Sequence, residues 1–231
     1  LKKRNQININ ESLTPKISLR INPSNDMKNH SASNSIVNAD NAFNINRLGI
    51  SDSYEAGKSL TLGIDYKYDP DEKVTMKDTE QETKDKFLEI NFATVIREKN
   101  ENNVPTNSTI NRKTSNLFGS INNRLFNNIN IDYNFSIDND LKTIESNSID
   151  TEISINNFVT NFNFYEQRGE IGTTHILSNT TTYNFDENNS IKFSTRRNKE
   201  INLTEYYDLS YEYKTDCLTA AFKYNKVFYE D

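Results

Sequence analysis

Few residues in this chain are of types able to do chemistry, and they are widely scattered. Its two histidines, His30 and His175, lie far apart, with no cysteine or carboxylate at ligand spacing, so no metal site is expected. No Gly-x-Ser-x-Gly elbow occurs, so covalent hydrolysis has no support and no catalytic residue is assigned. Gly49, Gly57 and Gly63 suit turns and close strand approach rather than phosphate binding, because no helix follows them to offer an anion site, and no cofactor is read from them. Asn107-Ser-Thr matches an acceptor triplet by chance in an Asn-rich chain and implies no glycosylation. Two candidates remain. Cys217 is the lone cysteine, so it is either a buried free thiol or pairs with a group outside this sequence. Arg47, Asp52 and Glu55 are either an ion cluster that pins a loop or ordinary surface charges, worth about 0–1 kcal/mol.

The elements that would position these residues show a period of two. In 129–138, Ile129, Ile131, Tyr133, Phe135 and Ile137 alternate with Asn130, Asp132, Asn134, Ser136 and Asp138, the signature of a half-buried strand. Leu60, Leu62, Ile64, Tyr66 and Tyr68 alternate in the same way with Thr61, Gly63, Asp65 and Lys67, and Ile17, Leu19 and Ile21 with Lys16, Ser18 and Arg20. Further strands are expected over 86–97, 114–126, 148–155, 158–166, 174–185, 190–198, 205–213 and 217–228, with a short one at 42–47. That makes about twelve, each about 6 to 13 residues long by alternation.

Tight turns of residues that tolerate positive φ are expected at Asn127-Asn128, Asn156-Asn157, 186–189 and 214–216. Longer connections fall at 139–147, 167–173 and 199–204, so short and long alternate, as in a meander whose two ends face different surroundings. Upstream, 69–85 and 98–113 are both long and the rule weakens.

Composition alone is ambiguous. Only 34% of the 231 residues are hydrophobic, poor material for a closed soluble core, yet 12 Tyr and 13 Phe argue against disorder. The fold class expected is all-β, an antiparallel up-and-down meander forming part of a transmembrane β-barrel. In a barrel the apolar face meets lipid and half of each strand stays polar. Strands tilted at about 45° need about 9–11 residues to cross, which most segments from 114 onward supply. No run of about 18 apolar residues exists, so a transmembrane helix is excluded. The start, Leu1-Lys2-Lys3-Arg4, is basic but is followed by no apolar signal-peptide stretch, and a net charge of -6, without a basic patch larger than Arg196-Arg197, argues against nucleic acid.

Three separated segments resemble the LPS-assembly outer-membrane protein (LptD) family. One is Phe43-Asn-Ile-Asn46-Arg47-Leu-Gly49-Ile-Ser-Asp52-Ser-Tyr-Glu55-Ala-Gly57, running into the strand that ends near Tyr68; Asn46, Arg47, Gly49, Asp52, Glu55 and Gly57 are its motif positions. Another is Leu13-Thr-Pro15-Lys-Ile-Ser-Leu-Arg20-Ile-Asn-Pro23, and the third is Tyr207-Asp-Leu-Ser-Tyr211-Glu-Tyr213-Lys-Thr-Asp216-Cys217. The resemblance implies an outer-membrane translocon that inserts lipopolysaccharide (LPS) into the outer leaflet through a polar lumen and a lateral strand seam. Its partners would be LPS, the bilayer, a lipoprotein plug and a periplasmic LPS-transport bridge. It also implies that Cys217 is disulfide-bonded to an amino-terminal periplasmic domain, and that Asn46 to Gly57 form a lumen loop. On this reading 1–231 is a single carboxy-terminal barrel region, lacking that domain, the first strands and the last strand.

Two kinds of tyrosine and cation follow from the barrel reading. Tyr66, Tyr68, Tyr165, Tyr211, Tyr213 and Tyr224 lie toward strand ends, as an aromatic girdle or simply as good strand formers. Arg20, Lys67, Arg97, Arg124, Lys192 and Arg196 face the lumen, meeting lipid phosphates or forming a solvated wall. The rivals to the translocon reading are a passive porin or receptor barrel and an extracellular β-structured adhesin whose apolar face packs on itself.

Overall fold

The computed structural model describes residues 10–24, 27–70, 73–75 and 83–228, and the basic start at Leu1 to Arg4 lies outside them. Its strands are β1 (Asn10–Asn22), β2 (Gly57–Asp69), β3 (Lys73–Thr75), β4 (Thr83–Asp85), β5 (Leu88–Arg97), β6 (Leu117–Phe126) and β7 (Ile129–Ile137). There follow β8 (Ile144–Ile155), β9 (Phe158–Gln167), β10 (Thr174–Asn184), β11 (Asn189–Asn198), β12 (Leu203–Lys214) and β13 (Thr219–Val227). Eleven of these form one antiparallel sheet in chain order, open at β1 and β13, while β3 and β4 make a separate hairpin. Within the sheet β5 follows β2 and every later strand pairs with the one before it, so the sheet is an up-and-down meander, as the alternation and turn residues predict.

The register assigns every side chain to a face. Lys16, Ser18 and Arg20 stand beside Gly63, Thr61 and Ser59, which stand in turn beside Ala93, Val95 and Arg97. Farther along, Ser136, Ser146 and Gln167 continue this row, and Ser178 pairs with Arg196. The opposite face carries Ile17, Leu19, Ile21, Leu62, Ile64, Phe162, Phe193, Leu209 and Phe222, all exposed. Soluble monomers seldom expose contiguous apolar patches beyond a few hundred Å². Here one runs across the whole sheet. Tyr66, Tyr68, Tyr211 and Tyr213 lie on this face toward the turn edge, where Phe158 and Tyr183 join them. Tyr224 shares the face nearer mid-strand. Tyr165 departs from the expected girdle: it pairs with Ser148 and lies on the polar face.

Turns and loops segregate by edge. Connections 127–128, 156–157, 185–188 and 215–218 share one edge, and 23–56, 98–116, 138–143, 168–173 and 199–202 share the other. The 70–87 connection shares the edge of the tight turns and is also long, so the length contrast fails at the front of the sheet, is clearest at 127–128 and 156–157 against 138–143 and 168–173, and vanishes at 185–188 against 199–202. The two longest loops fold back over the polar face and build the only sizeable core described. Met27, Val37, Ala39, Ala42, Leu48 and Ala56 of the first loop pack with Val104 and Ile110 of the second, over Ala93, Val95 and Phe118 of the sheet. The loops join through His30 N donating to Asn103 O at 2.9 Å and Thr106 N to Ser31 O at 3.3 Å. This explains why β5 carries apolar residues on both faces, with Leu88, Ile90, Phe92 and Ile96 on the outer one and Ala93 and Val95 under the loops.

Three expectations are corrected. Residues 42–47 form turns, not a strand; Phe43 leaves the alternation to pack where a Cβ on Gly63 would stand 2.7 Å from its ring. The strand expected from 114 starts at Leu117, because Thr114 and Ser115 still run with the loop along β5. The strand expected from 217 starts at Thr219, leaving Cys217 in the turn.

The faces make opposite demands on adjacent positions of β9. Phe162→Arg, on the apolar face, is expected to cost about 2–4 kcal/mol near the bilayer midplane. Asn163→Arg places its charge on the polar face, where Asn163 already donates to Asp150 at 2.8 Å, and is expected to be tolerated. Heat-dependent gel mobility of the full-length protein reads the outcome: loss of the folded band for the first and not the second.

Candidate functional site

The best-built polar cluster lies under the first long loop. Glu55, two residues before β2, takes Arg47 through two parallel bonds, from Nε to Oε2 at 2.8 Å and from Nη2 to Oε1 at 2.5 Å. Arg20 of β1 donates to Oε2 at 2.8 Å, and Arg97 of β5 donates to Oε1. Three guanidinium groups thus share one carboxylate. All but Arg20 are nearly closed to solvent, with side-chain exposures of 0% for Arg47, 2% for Arg97 and 5% for Glu55.

The surplus positive charge is met by neutral acceptors. Arg47 donates to Thr61 Oγ1 at 2.9 Å and Ser59 Oγ at 3.0 Å; Arg97 donates to Ala56 O, and Arg20 to Asn44 O at 2.6 Å. Burial alone would raise the Glu55 carboxyl, but the Arg47 hydrogen bonds and the charges of Arg47, Arg97 and Arg20 outweigh it and hold it below its ordinary range. Guanidinium suits this place because its planar fork holds several acceptors at fixed angles.

Each motif residue has a local task. Asn46 closes a turn, its side chain donating to Ile50 O at 2.8 Å while Gly49 N reaches Asn46 O at 3.3 Å; this turn aims Arg47 inward. Gly49 and Gly57 sit at φ of +65° and +87°, conformations that L side chains resist, and a Cβ on Gly57 would stand 3.4 Å from Arg97 Nη2. Asp52 does not join the Arg47–Glu55 cluster. It faces Lys28 Nζ and His30 Nε2, each at 3.0 Å, and its carboxyl is held below its usual range chiefly by the Lys28 hydrogen bond. Arg20 and Arg97 were legible only as polar-face cations, since nothing but strand register brings residues 35 and 42 positions away onto Glu55.

Cys217 is a free thiol, exposed in the 215–218 turn. Lys67 and Arg124 lie 5.7 and 5.3 Å from the ring centroid of Phe87, and Arg196 pairs with Glu205 at 2.8 Å. His175 stands 3.8 Å from Glu166, far from His30. Among the described residues no group of three or more His, Cys, Asp or Glu is arranged to hold a metal ion. No helix among them is long and apolar enough to cross a membrane, which leaves crossing by strands open.

The sequence pattern of the LPS transport system D family matches residues 3–188, most of the chain and all of the loop cluster. This chain belongs to that family. No curated protein matches it. Membership gives the chain a part in LPS transport and assembly at the outer membrane, with LPS as the molecule handled. The LPS transport system D match spans Arg47 and Glu55, the residues that fasten the loop to the wall.

Removing the shared carboxylate should strand three cations. Glu55→Gln is expected to weaken docking of the 23–56 loop by about 3–5 kcal/mol, read as new protease cleavage within the loop while the strands stay protected. Because the folded carboxyl lies below its ordinary value of 4.5, its stabilisation is complete above that pH and is lost as acid takes the pH down through the folded value. Loop protection in the native protein should therefore persist to pH below 4.5, and early loss of it at higher pH would contradict the cluster.

Proposed function

We propose that this chain is the barrel-wall region of the translocon that inserts LPS into the outer leaflet, guiding the polar part of the lipid along the polar face and releasing it through a lateral strand seam. A single observation carries the reading: in a family of LPS transport, the sheet presents an uncovered apolar face and a hydroxyl- and amide-rich polar face on alternate residues. The uncovered face favours this over an adhesin, whose apolar side chains would meet each other. The loop fastened by Glu55 favours it over an open porin, because a pinned loop narrows the passage and leaves a shaped surface for a lipoprotein plug.

On this proposal the turn edge faces the periplasm, the loop edge faces outward, and residues 1–231 are the carboxy-terminal part of a larger barrel. The exposed thiol of Cys217, placed in a turn of an oxidising compartment, is then available for a disulfide to an amino-terminal domain served by the periplasmic bridge.

A photo-crosslinking residue at Ser194, on the polar face of β11, should yield LPS adducts in cells making the full-length protein; their absence with the barrel assembled would overturn the reading. Maleimide labelling tests the tether separately. Cys217 in the full-length protein should label only after reduction, and labelling without reductant would show that it has no disulfide partner.

A further inference from the structure

The cations of the polar face divide by whether a carboxylate meets them. Arg20 and Arg97 share Glu55, Arg196 pairs with Glu205 at 2.8 Å, and Lys16 pairs with Asp65. Lys67 and Arg124 differ. Their charged groups stand 5.7 and 5.3 Å from the ring centroid of Phe87, within cation–π range, and neither makes an ion pair among the described residues. Strand register brings the three together at the turn edge: Lys67 lies near the end of β2, Arg124 near the end of β6, and Arg124 N donates to Phe87 O at 2.8 Å just before β5 begins.

Two observations define what would fit. Lys67 is exposed and Arg124 half-buried, so both are open to a ligand. The ring attracts each cation but carries no net charge, so two like charges are gathered at one place without a counterion. Glu89 stands beside Lys67 in the register and Asp132 beside Asn122, on the same face, yet neither makes an ion pair with these cations. A neutral sugar or an acyl chain would leave both charges unmet. A phosphate monoester carries about −1.5 to −2 at pH 7 with three acceptor oxygens, which matches two cations better than one carboxylate does. Phe87, a half-buried ring on the polar face and outside the loop core, adds apolar surface for the carbon skeleton next to the phosphate.

We propose that Lys67, Arg124 and Phe87 form a binding station for the phosphate groups of LPS at the turn edge of the polar face. The proposal rests on the reading that the polar part of LPS moves along this face with the turn edge toward the periplasm, which puts the station at the entrance. It lies at the opposite end of β2 from the Glu55 cluster, whose Arg20 and Arg97 are already committed to a carboxylate. The cations of this face thus divide into those that hold the loop and those left for the substrate.

With fluorophenylalanine at Phe87 of the full-length protein in a non-ionic detergent, the fluorine resonance should move with LPS and, at higher concentration, with inorganic phosphate. It should stay still with LPS whose phosphates have been removed. Lys67→Gln and Arg124→Gln should each weaken the response to LPS about tenfold, as loss of one charge-assisted hydrogen bond implies, whereas Glu89→Gln, which removes a nearby negative charge, should strengthen it. These opposite signs separate a lost anion site from a lost fold. An equal response to intact and dephosphorylated LPS, a response to inorganic phosphate but not to intact LPS, or a response to none of the three would overturn the station. LPS adducts at Ser194 with no response at Phe87 would overturn the station and leave the translocon reading standing; a response at Phe87 with no adducts at Ser194 would do the reverse.

Discussion

The alternation of side chains between two solvents is the constraint on which the rest depends. In hydrocarbon no water is available for a backbone amide, so a wall of strands must pair each strand with its neighbours while sending one side chain outward and the next inward. The sheet here meets that constraint strand by strand, from Ile17 beside Ser18 in β1 to Phe222 beside Lys223 in β13. The low hydrophobic content of 34% follows directly, since only one face needs to be apolar.

That constraint also shapes the loops. A polar face enclosing water has no core of its own, so segments that enter it must bring their apolar residues with them or be tied by charge. The first loop does both. Met27, Val37 and Leu48 make a small core on β5 and β6, and Glu55 fastens its far end to Arg20 and Arg97 on two different strands. Glu55 lies where the loop re-enters the sheet, so the ion cluster fixes the loop and the start of β2 together. Buried ion pairs seldom raise net stability over an apolar replacement, but breaking one is costly. The cluster therefore acts chiefly to set one position for the loop, with Gly57 at positive φ turning the chain from Glu55 into β2.

The sheet was readable because its signal repeats: each long strand alternates and each tight turn uses Asn or Asp. Failures occurred where a short pattern had no tertiary support. Phe43 and Ile45 alternate with asparagines as a strand would, yet Phe43 serves as a wedge over Gly63, and a six-residue pattern does not distinguish the two. Tyr165 looks like its neighbours Phe162 and Phe164, and only its odd place in the register shows that it lies on the polar face. The β3–β4 hairpin lies within the polar connection 69–85, which has no apolar period to announce it. In the motif, Arg47 and Glu55 were legible as a pair by proximity. Asp52 was grouped with them for the same reason, but the loop turns it toward Lys28 and His30.

The most direct test of the account is an accessibility scan along β12. Spin labels placed one at a time at Tyr207, Asp208, Leu209, Ser210, Tyr211 and Glu212 in the full-length protein, reconstituted in bilayers, report contact with oxygen dissolved in lipid and with a water-soluble nickel complex. Oxygen contact should be high at 207, 209 and 211, and nickel contact high at 208, 210 and 212, following the register of β12 with β11 and β13. Accessibility without a period of two, or with its phase reversed, would contradict the assignment of one face to lipid and the other to water.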